Sequence, residues 1–357
     1  MTSDADPTAA ARARYGWPRS RGYSELTERL GEILLADPAL VSILDAAPPT
    51  QRQPGLLFAA LHDRVLAHPE EPLARWYPSV SGRPPPDADP APALHAFFAA
   101  HGDEIRALVA TRSTQTNDPL RCASLAFGFA AVGEAAGRPL GFVELGASAG
   151  LLLLVDRYRI DFGGVASLGD PRSSVRLVSE LRGPARPPLP TRLPAIASRV
   201  GIDLAPVDAR DEAATRWLLA CILADRLDRI ERFRGALALA RRDPPRLVRG
   251  DITLRLAEVA ASVPADEHLC LFDSYALVYL TPPQRAELAA AIAEVARGRD
   301  LDWISAERPG TIPDLVEPAP PEDPHATFLA WCSYRGGVRR DRVLARCHTH
   351  GEWVEWL

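Results

Sequence analysis

The sequence predicts an α/β fold, a mostly parallel sheet finished by an antiparallel hairpin and preceded by a helical domain. Three observations predict it. Before Phe142, apolar residues recur at helical spacing and no convincing strand interrupts them. From Phe142 onward, short apolar runs alternate with amphipathic stretches, which is the pattern of βαβ units around a covered parallel sheet. The end of the chain reads differently, as strand, glycine turn and strand: Thr327–Tyr334, Arg335-Gly-Gly337, then Arg340–Cys347, with a short strand near Trp353.

The elements follow in order. Ser24 to Asp45 is patterned as a helix, with Ser24 as N-cap and Glu28 near its first turn. Pro54 to His68 is a second helix. Pro78 to Pro92 is too rich in proline to be helix or central strand. Ala93 to Thr111 is a third helix, and Asn117-Asp118-Pro119 is a capped start for a fourth running toward Ala136. The predicted strands are Phe142–Leu145, Ser198–Ile202, Arg246–Arg249, Leu269–Phe272 and Asp302–Ser305. Helices are expected at Ala149–Tyr158, Asp211–Asp225, Ile252–Ala261 and Pro283–Ala296. Between Asp161 and Ala197, Pro184, Pro187, Pro188, Pro190 and Pro194 mark an inserted excursion, with a short strand at Val175–Ser179. The expected division is a helical domain over 1–120 and an α/β domain over 121–357, with the insertion near 161–197.

Composition excludes several functions. The net charge of −5 over 357 residues gives no reason to expect nucleic acid or an acidic membrane surface as partner. No apolar run is long enough to span a bilayer, and the stretch MTSDADPTAAARARYGW lacks the apolar core of a secretory signal. Five scattered cysteines read as reduced thiols, so a cytoplasmic setting is expected. All 41 basic residues are arginine. Walker-type phosphate loops, pyridoxal phosphate enzymes and protein kinases each need a lysine, so the sequence argues against all three.

The chemistry concentrates in Pro139–Tyr158. An apolar strand, broken by Glu144, runs into Gly146-Ala-Ser148-Ala-Gly150 and then a leucine-rich stretch. Such a junction sits at the carboxyl end of a strand, where ligands bind in α/β sheets. Small residues let a ligand approach the backbone, and a helix start presents free N–H groups. Glu144-Leu-Gly146-x-x-x-Gly150 resembles motif I of Rossmann-like methyltransferases that use S-adenosylmethionine. On that resemblance Glu144, Gly146, Ser148 and Gly150 bind the cofactor. An acid after the second strand takes the ribose hydroxyls; Asp203 fits, with Glu180 as the alternative. Asp251 matches the position that meets the adenine amine. Asp273-Ser274-Tyr275 falls where the family places substrate-facing groups, so Asp273 and Tyr275 are the candidate catalytic residues, a carboxylate there serving as base. The structural reading of the same acids is that Asp203 is a turn residue and Asp251 caps the next helix.

Two other chemistries use the same residues. Gly146-Ala-Ser148-Ala-Gly150 satisfies the G-x-S-x-G nucleophile elbow, followed by acids (Asp251, Asp273) and histidines (His325, His348, His350) in the chain order of α/β-hydrolases. Against it, that fold needs strands before the elbow, and nothing in it explains Glu144. Cys347-His348-Thr349-His350 offers three metal-ligand types, but no CxxC or HxxxH partner exists, so no metal is expected.

Thr114-Gln-Thr-Asn117, Glu144-Leu-Gly-Ala-Ser-Ala-Gly-Leu151 with Asp156-Arg-Tyr158, Gly201-Ile-Asp-Leu204 with Pro206-Val-Asp208, and Pro244-Pro245 with Val248-Arg-Gly-Asp251 together resemble a bacterial, largely actinobacterial family, domain of unknown function 2332. The resemblance covers most of the chain. It implies a helical N-terminal part joined to a methyltransferase-like domain. The chain departs from the family pattern at Leu152, where asparagine is usual, at Leu223-Ala224-Asp225, where tryptophan-proline-aspartate is usual, and at Asp273, where a histidine usually precedes serine. The expected function is methyl transfer from S-adenosylmethionine to a small molecule. The alternatives are a non-catalytic binding module of the same fold and a serine hydrolase.

Overall fold

The computed structural model describes residues 7–17, 24–185, 187–188 and 192–357. The first six residues of the N-terminal stretch discussed above, and Pro190 of the excursion, lie outside them. The chain divides into two compact units. One comprises Met1–Thr116 with Arg210–Arg234, the other Asn117–Ala209 with Gly235–Leu357.

In the first unit, proline and acidic caps punctuate the helices. Glu25–Ala36 starts at Ser24, whose Oγ accepts the Thr27 N–H at 3.1 Å, and it buries Leu26, Leu30 and Leu34. The helix expected to reach Asp45 stops at Ala36, because Pro38 has no N–H to continue the ladder. Asp37 instead caps a new short turn, accepting from Ala39. Pro54–Ala67 and Ala91–Thr111 also carry proline in their first turn. The segment from Arg210 adds helix Glu212–Ala220, whose Trp217 joins the same apolar core as Leu57, Leu61 and Phe97. The sequence pattern places this helix among the βα repeats; it packs in the helical unit. His62 secures it there. Its Nδ1 lies 3.2 and 3.1 Å from the Ala220 and Ile222 carbonyls, and Nε2 is 2.8 Å from Ser79 Oγ. Carbonyls only accept, so Nδ1 carries the proton and Nε2 accepts from the serine hydroxyl. Burial lowers the His62 pKa to about 4, which keeps the ring neutral.

The second unit is mixed α/β. Its strands are β1 Leu140–Leu145, β2 Arg159–Phe162, β3 Ala166–Gly169, β4 Arg176–Val178, β5 Glu180–Arg182, β6 Ile196–Asp203, β7 Arg246–Arg249, β8 His268–Ser274, β9 Leu301–Glu307, β10 Ala326–Arg335, β11 Val338–His348 and β12 Trp353–Trp356. Nine of them form one sheet in the order β5-β12-β11-β10-β9-β8-β1-β6-β7. From β7 to β9 every pairing is parallel; β9 to β12 is an antiparallel meander, and β5 pairs parallel to β12. Strand β1 is therefore central and buried throughout. On one face Phe142 and Phe272 meet Phe129 of helix Cys122–Ala136, with ring centroids 4.5–5.2 Å apart. On the other, Val143, Leu145 and Leu271 pack with Leu256, Ile292 and Trp303. Side chains alternate along a strand, so Glu144 shares the face of Phe142 and points toward the start of helix Cys122–Ala136.

The excursion after β1 forms a small separate sheet, β3-β2-β4, and supplies edge strand β5. The helix expected at Ala149–Tyr158 is only a 3₁₀ stretch, Leu152–Arg157, kinked at Leu154. Its carbonyls are taken by side chains: Tyr158 Oη donates to Leu151 O, Cys122 Sγ to Leu152 O and Arg199 Nε to Leu153 O. Leu152 to Val155 are all buried, and only Asp156 and Arg157 at its end reach water. The five cysteines are free. No helix of the described residues is long and apolar enough to cross a membrane.

Candidate functional site

Strand order reverses at β1, since β6 follows it on one side and β8 on the other. The carboxyl ends flanking that reversal form the crevice where open α/β sheets bind ligands. Gly146 (φ 81°), Ser148 (φ 51°) and Gly150 (φ 67°) give the loop after β1 three left-handed residues. Glycine is needed twice over here. A Cβ on Gly146 would lie 2.7 Å from Ala276 Cβ, and one on Gly201 of β6 would lie 2.4 Å from Ala147 Cβ. Gly201→Ala is accordingly expected to destabilise the chain by roughly 1–3 kcal/mol through overpacking; urea unfolding at pH 7 measures it, and an unchanged midpoint would contradict the contact.

The loop's own amides are used inside the protein. Gly146 and Ala147 N–H donate to Ile202 O at 2.8 and 3.1 Å, and Gly150 N–H donates to Ala147 O at 2.7 Å. Ser148 N–H donates to Asp203 Oδ2 at 2.8 Å, and Ala205 N–H to Oδ1 at 2.8 Å. Asn117 Nδ2 donates to Ala147 O at 2.9 Å. The expected row of free N–H groups is thus largely consumed. Two acceptors are left over. Glu144 is 2% exposed, and its Oε2 has no hydrogen-bond partner among the described residues; neither has the buried Asn117 Oδ1. Burial, reinforced by the nearby Asp203 charge, raises the Glu144 carboxyl well above its usual range.

The other acids separate into roles. Asp203 ends β6 beside β1, whereas Glu180 lies on β5 at the opposite edge of the sheet. That removes Glu180 as a candidate for any site at β1. Asp251 caps helix Ile252–Ser262, Oδ1 accepting from Thr253 and Leu254 N–H at 2.8 and 3.3 Å. Asp273 is fully buried, with Trp303 Nε1 on Oδ2 at 2.6 Å and Ser305 Oγ on Oδ1 at 2.8 Å. Both of its oxygens are thus engaged by side chains of β9. Tyr275 lies on the edge. Its φ of 58° is unusual for a large residue, and its ring is flanked by the guanidinium carbons of Arg121 and Arg308 at 5.2 and 5.3 Å.

A family profile described as uncharacterized protein conserved in bacteria, DUF2332, matches residues 10–356. The chain belongs to the DUF2332 family. No curated protein matches it. In this DUF2332 chain the profile runs through both compact units.

Several groups at the DUF2332 site edge carry little signal in the sequence. Glu307, at the end of β9, accepts from Ala276 and Leu277 N–H at 2.5 and 2.8 Å and so holds the turn after β8. Its carboxyl neighbours that of Asp273, and the two form one buried acid pair. Arg121 donates to Ser274 O and Thr349 O, both at 3.0 Å, joining the end of β8 to the turn after β11. A glutamate in an apolar strand and an arginine behind Asp-Pro look ordinary in one dimension. Among the described residues, Cys347, His348 and His350 do not converge as a metal-binding group; Cys347 is buried against Thr327.

Proposed function

We propose that this chain binds S-adenosylmethionine at the carboxyl edge of β1 and transfers its methyl group to a small molecule. The observation that carries the reading is the pair of donor-less buried acceptors, Glu144 Oε2 and Asn117 Oδ1, beside a loop whose amides are already used. A ligand that satisfies them brings N–H donors, and the ammonium of an amino-acid moiety brings three. An anion such as a nucleotide phosphate has the wrong sign for this place. The strand order β7-β6-β1-β8-β9 also matches the Rossmann-like arrangement, although the meander that follows takes the strands in simple chain order.

Under this reading Glu144 and Asn117 hold the amino end, and the glycine loop lies along the ligand. Each Asp203 oxygen keeps a second lone pair for the ribose hydroxyls. Asp251 would use the oxygen not engaged in capping for the adenine amine. The bound cofactor supplies a methyl group already activated on a sulfonium. What remains for the chain is alignment and exclusion of water. Tyr275 is the acceptor-side group, and Asp273 positions the turn beneath it through Glu307. Binding without turnover is the non-catalytic form of the same proposal.

One observation favours the hydrolase alternative: Ser148 sits at positive φ, as a nucleophile on a sharp turn does. No strand precedes β1 among the described residues to bring a second oxyanion donor.

The test is calorimetric titration with S-adenosylmethionine and with S-adenosylhomocysteine. Saturable binding is expected, weakened about 10–100-fold in Glu144→Gln, which keeps the acceptor but loses the charge-assisted part of the bond. Burial raises the Glu144 carboxyl well above its usual range, and a bound ammonium would favour its ionised form, so proton release on binding is expected, seen as a dependence of the heat on the buffer. No binding of either ligand by folded, ligand-free protein sinks the proposal. Labelling of Ser148 by a fluorophosphonate would establish the hydrolase instead.

A further inference from the structure

We propose that the helical unit carries a second site, for a divalent transition-metal ion of the zinc type, made by His68, His101 and Glu104. His68 follows helix Pro54–Ala67 as its C-cap, and His101 and Glu104 lie one turn apart on helix Ala91–Thr111. Residues three apart share a helix face. One donor atom from each of the three lies within 4.8 Å of the others. The His101 Nδ1 to Glu104 Oε1 distance is 3.6 Å. A tetrahedral ion with bonds of about 2.0–2.1 Å holds its donor atoms roughly 3.3–3.5 Å apart, so this pair already stands near the required spacing.

The surroundings fit an ion as well. The His101 side chain is only 11% exposed, and its buried Nδ1 has no hydrogen-bond partner among the described residues. Its Nε2 faces Glu71 Oε1 at 3.4 Å. A proton on Nε2, directed at Glu71, leaves the Nδ1 lone pair facing the Glu104 carboxylate. Two acceptors then confront each other, and a cation between them relieves the opposition. A carboxylate on the outer nitrogen of a ligating histidine is the usual supporting arrangement. Glu104 is supported too, its Oε2 paired with Arg64 at 2.5 Å. Phe97 backs the His101 ring at 4.6 Å. The His68 ring stacks on His101 at 4.2 Å and 28°. Stacked rings cannot both aim a lone pair at one point, so metal uptake turns His68 about its soft terminal torsion. At 29% exposed it has room to turn. Two imidazoles and one carboxylate suit zinc and its neighbours, not the all-oxygen preference of magnesium or calcium, and leave one position for water.

The experiment is calorimetric titration of the full chain, stripped by chelator and dialysed, with zinc chloride and in parallel with magnesium chloride. One zinc per chain is expected, and no comparable heat from magnesium. Glu71→Gln should weaken zinc binding about 10–100-fold, as loss of an outer partner does. His101→Ala, His68→Ala and Glu104→Ala should each weaken it further. Glu104 is half exposed, so Glu104→Ala keeps the fold, as far-ultraviolet circular dichroism would verify. Absence of saturable zinc binding by the folded wild type overturns the site, and so does binding that Glu104→Ala and His101→Ala leave unchanged.

Discussion

Asp203→Ala is expected to lower the unfolding free energy by about 1.5–3 kcal/mol and to abolish ligand binding at the β1 edge. The carboxylate accepts from two backbone donors, Ser148 N–H and Ala205 N–H, one on each oxygen. It therefore joins the glycine loop to the turn after β6, while Gly250 N–H donates to its main-chain carbonyl at 2.9 Å and ties in the turn after β7. Removing the side chain strands the Ser148 amide, returns the exposed Ala205 amide to water and releases Ser148, which sits in a backbone conformation that neighbours must hold. Asp203→Asn keeps one acceptor and should lose roughly half as much. Urea unfolding measures the stability, and hydrogen exchange at the Ser148 and Ala205 amides reports the release locally. Unaltered exchange at both amides would show that the loop is held by something else.

Asp273→Asn should flatten the dependence of stability on pH between about 4 and 7. Burial pushes the Asp273 carboxyl up to about 6, and the neighbouring Glu307, itself raised well above its usual range, holds the pair's proton. A folded-state pKa above the unfolded one means that the native state binds more protons. The wild-type chain is then most stabilised by this group at low pH and loses that stabilisation as pH rises from 3.8 through about 6. The full span corresponds to about 3 kcal/mol, of which about 2 kcal/mol falls between pH 4.5 and 7.5. The variant has no carboxyl to ionise there, so its deficit relative to wild type should shrink by about 2 kcal/mol over that interval. Parallel profiles for the two proteins would place the proton elsewhere. The same substitution checks the positioning role: because Asp273 is buried beneath the edge, ligand binding should change less than in Glu144→Gln.

Much of the architecture is legible in the sequence alone. Strand period, proline and capping residues locate the helices at Glu25, Pro54 and Ala91, the parallel strands β1, β6, β7, β8 and β9, and the terminal hairpin, because each depends on neighbours within a few positions. The reduced thiols and the loop after β1 are legible for the same reason. Where the reading departs from the structure, distant groups decide. Leu151 to Val155 have the composition of a helix, but Tyr158, Cys122 and Arg199 take their carbonyls and leave a 3₁₀ turn. Helix Glu212–Ala220 has the pattern of a sheet-covering helix, yet Trp217 and the carbonyls facing His62 commit it to the helical unit. Asp273, Glu180 and Asp203 are equivalent as carboxylates in one dimension. Sheet order separates them, putting one beneath the edge, one at the far side and one against the glycine loop. Sequence by itself determined which segments are strands and helices and where the reactive types cluster, since those follow from local spacing. Burial, the claimed carbonyls and the two unmatched acceptors at Glu144 and Asn117 are set by partners far along the chain, and only the tertiary structure brings those partners together.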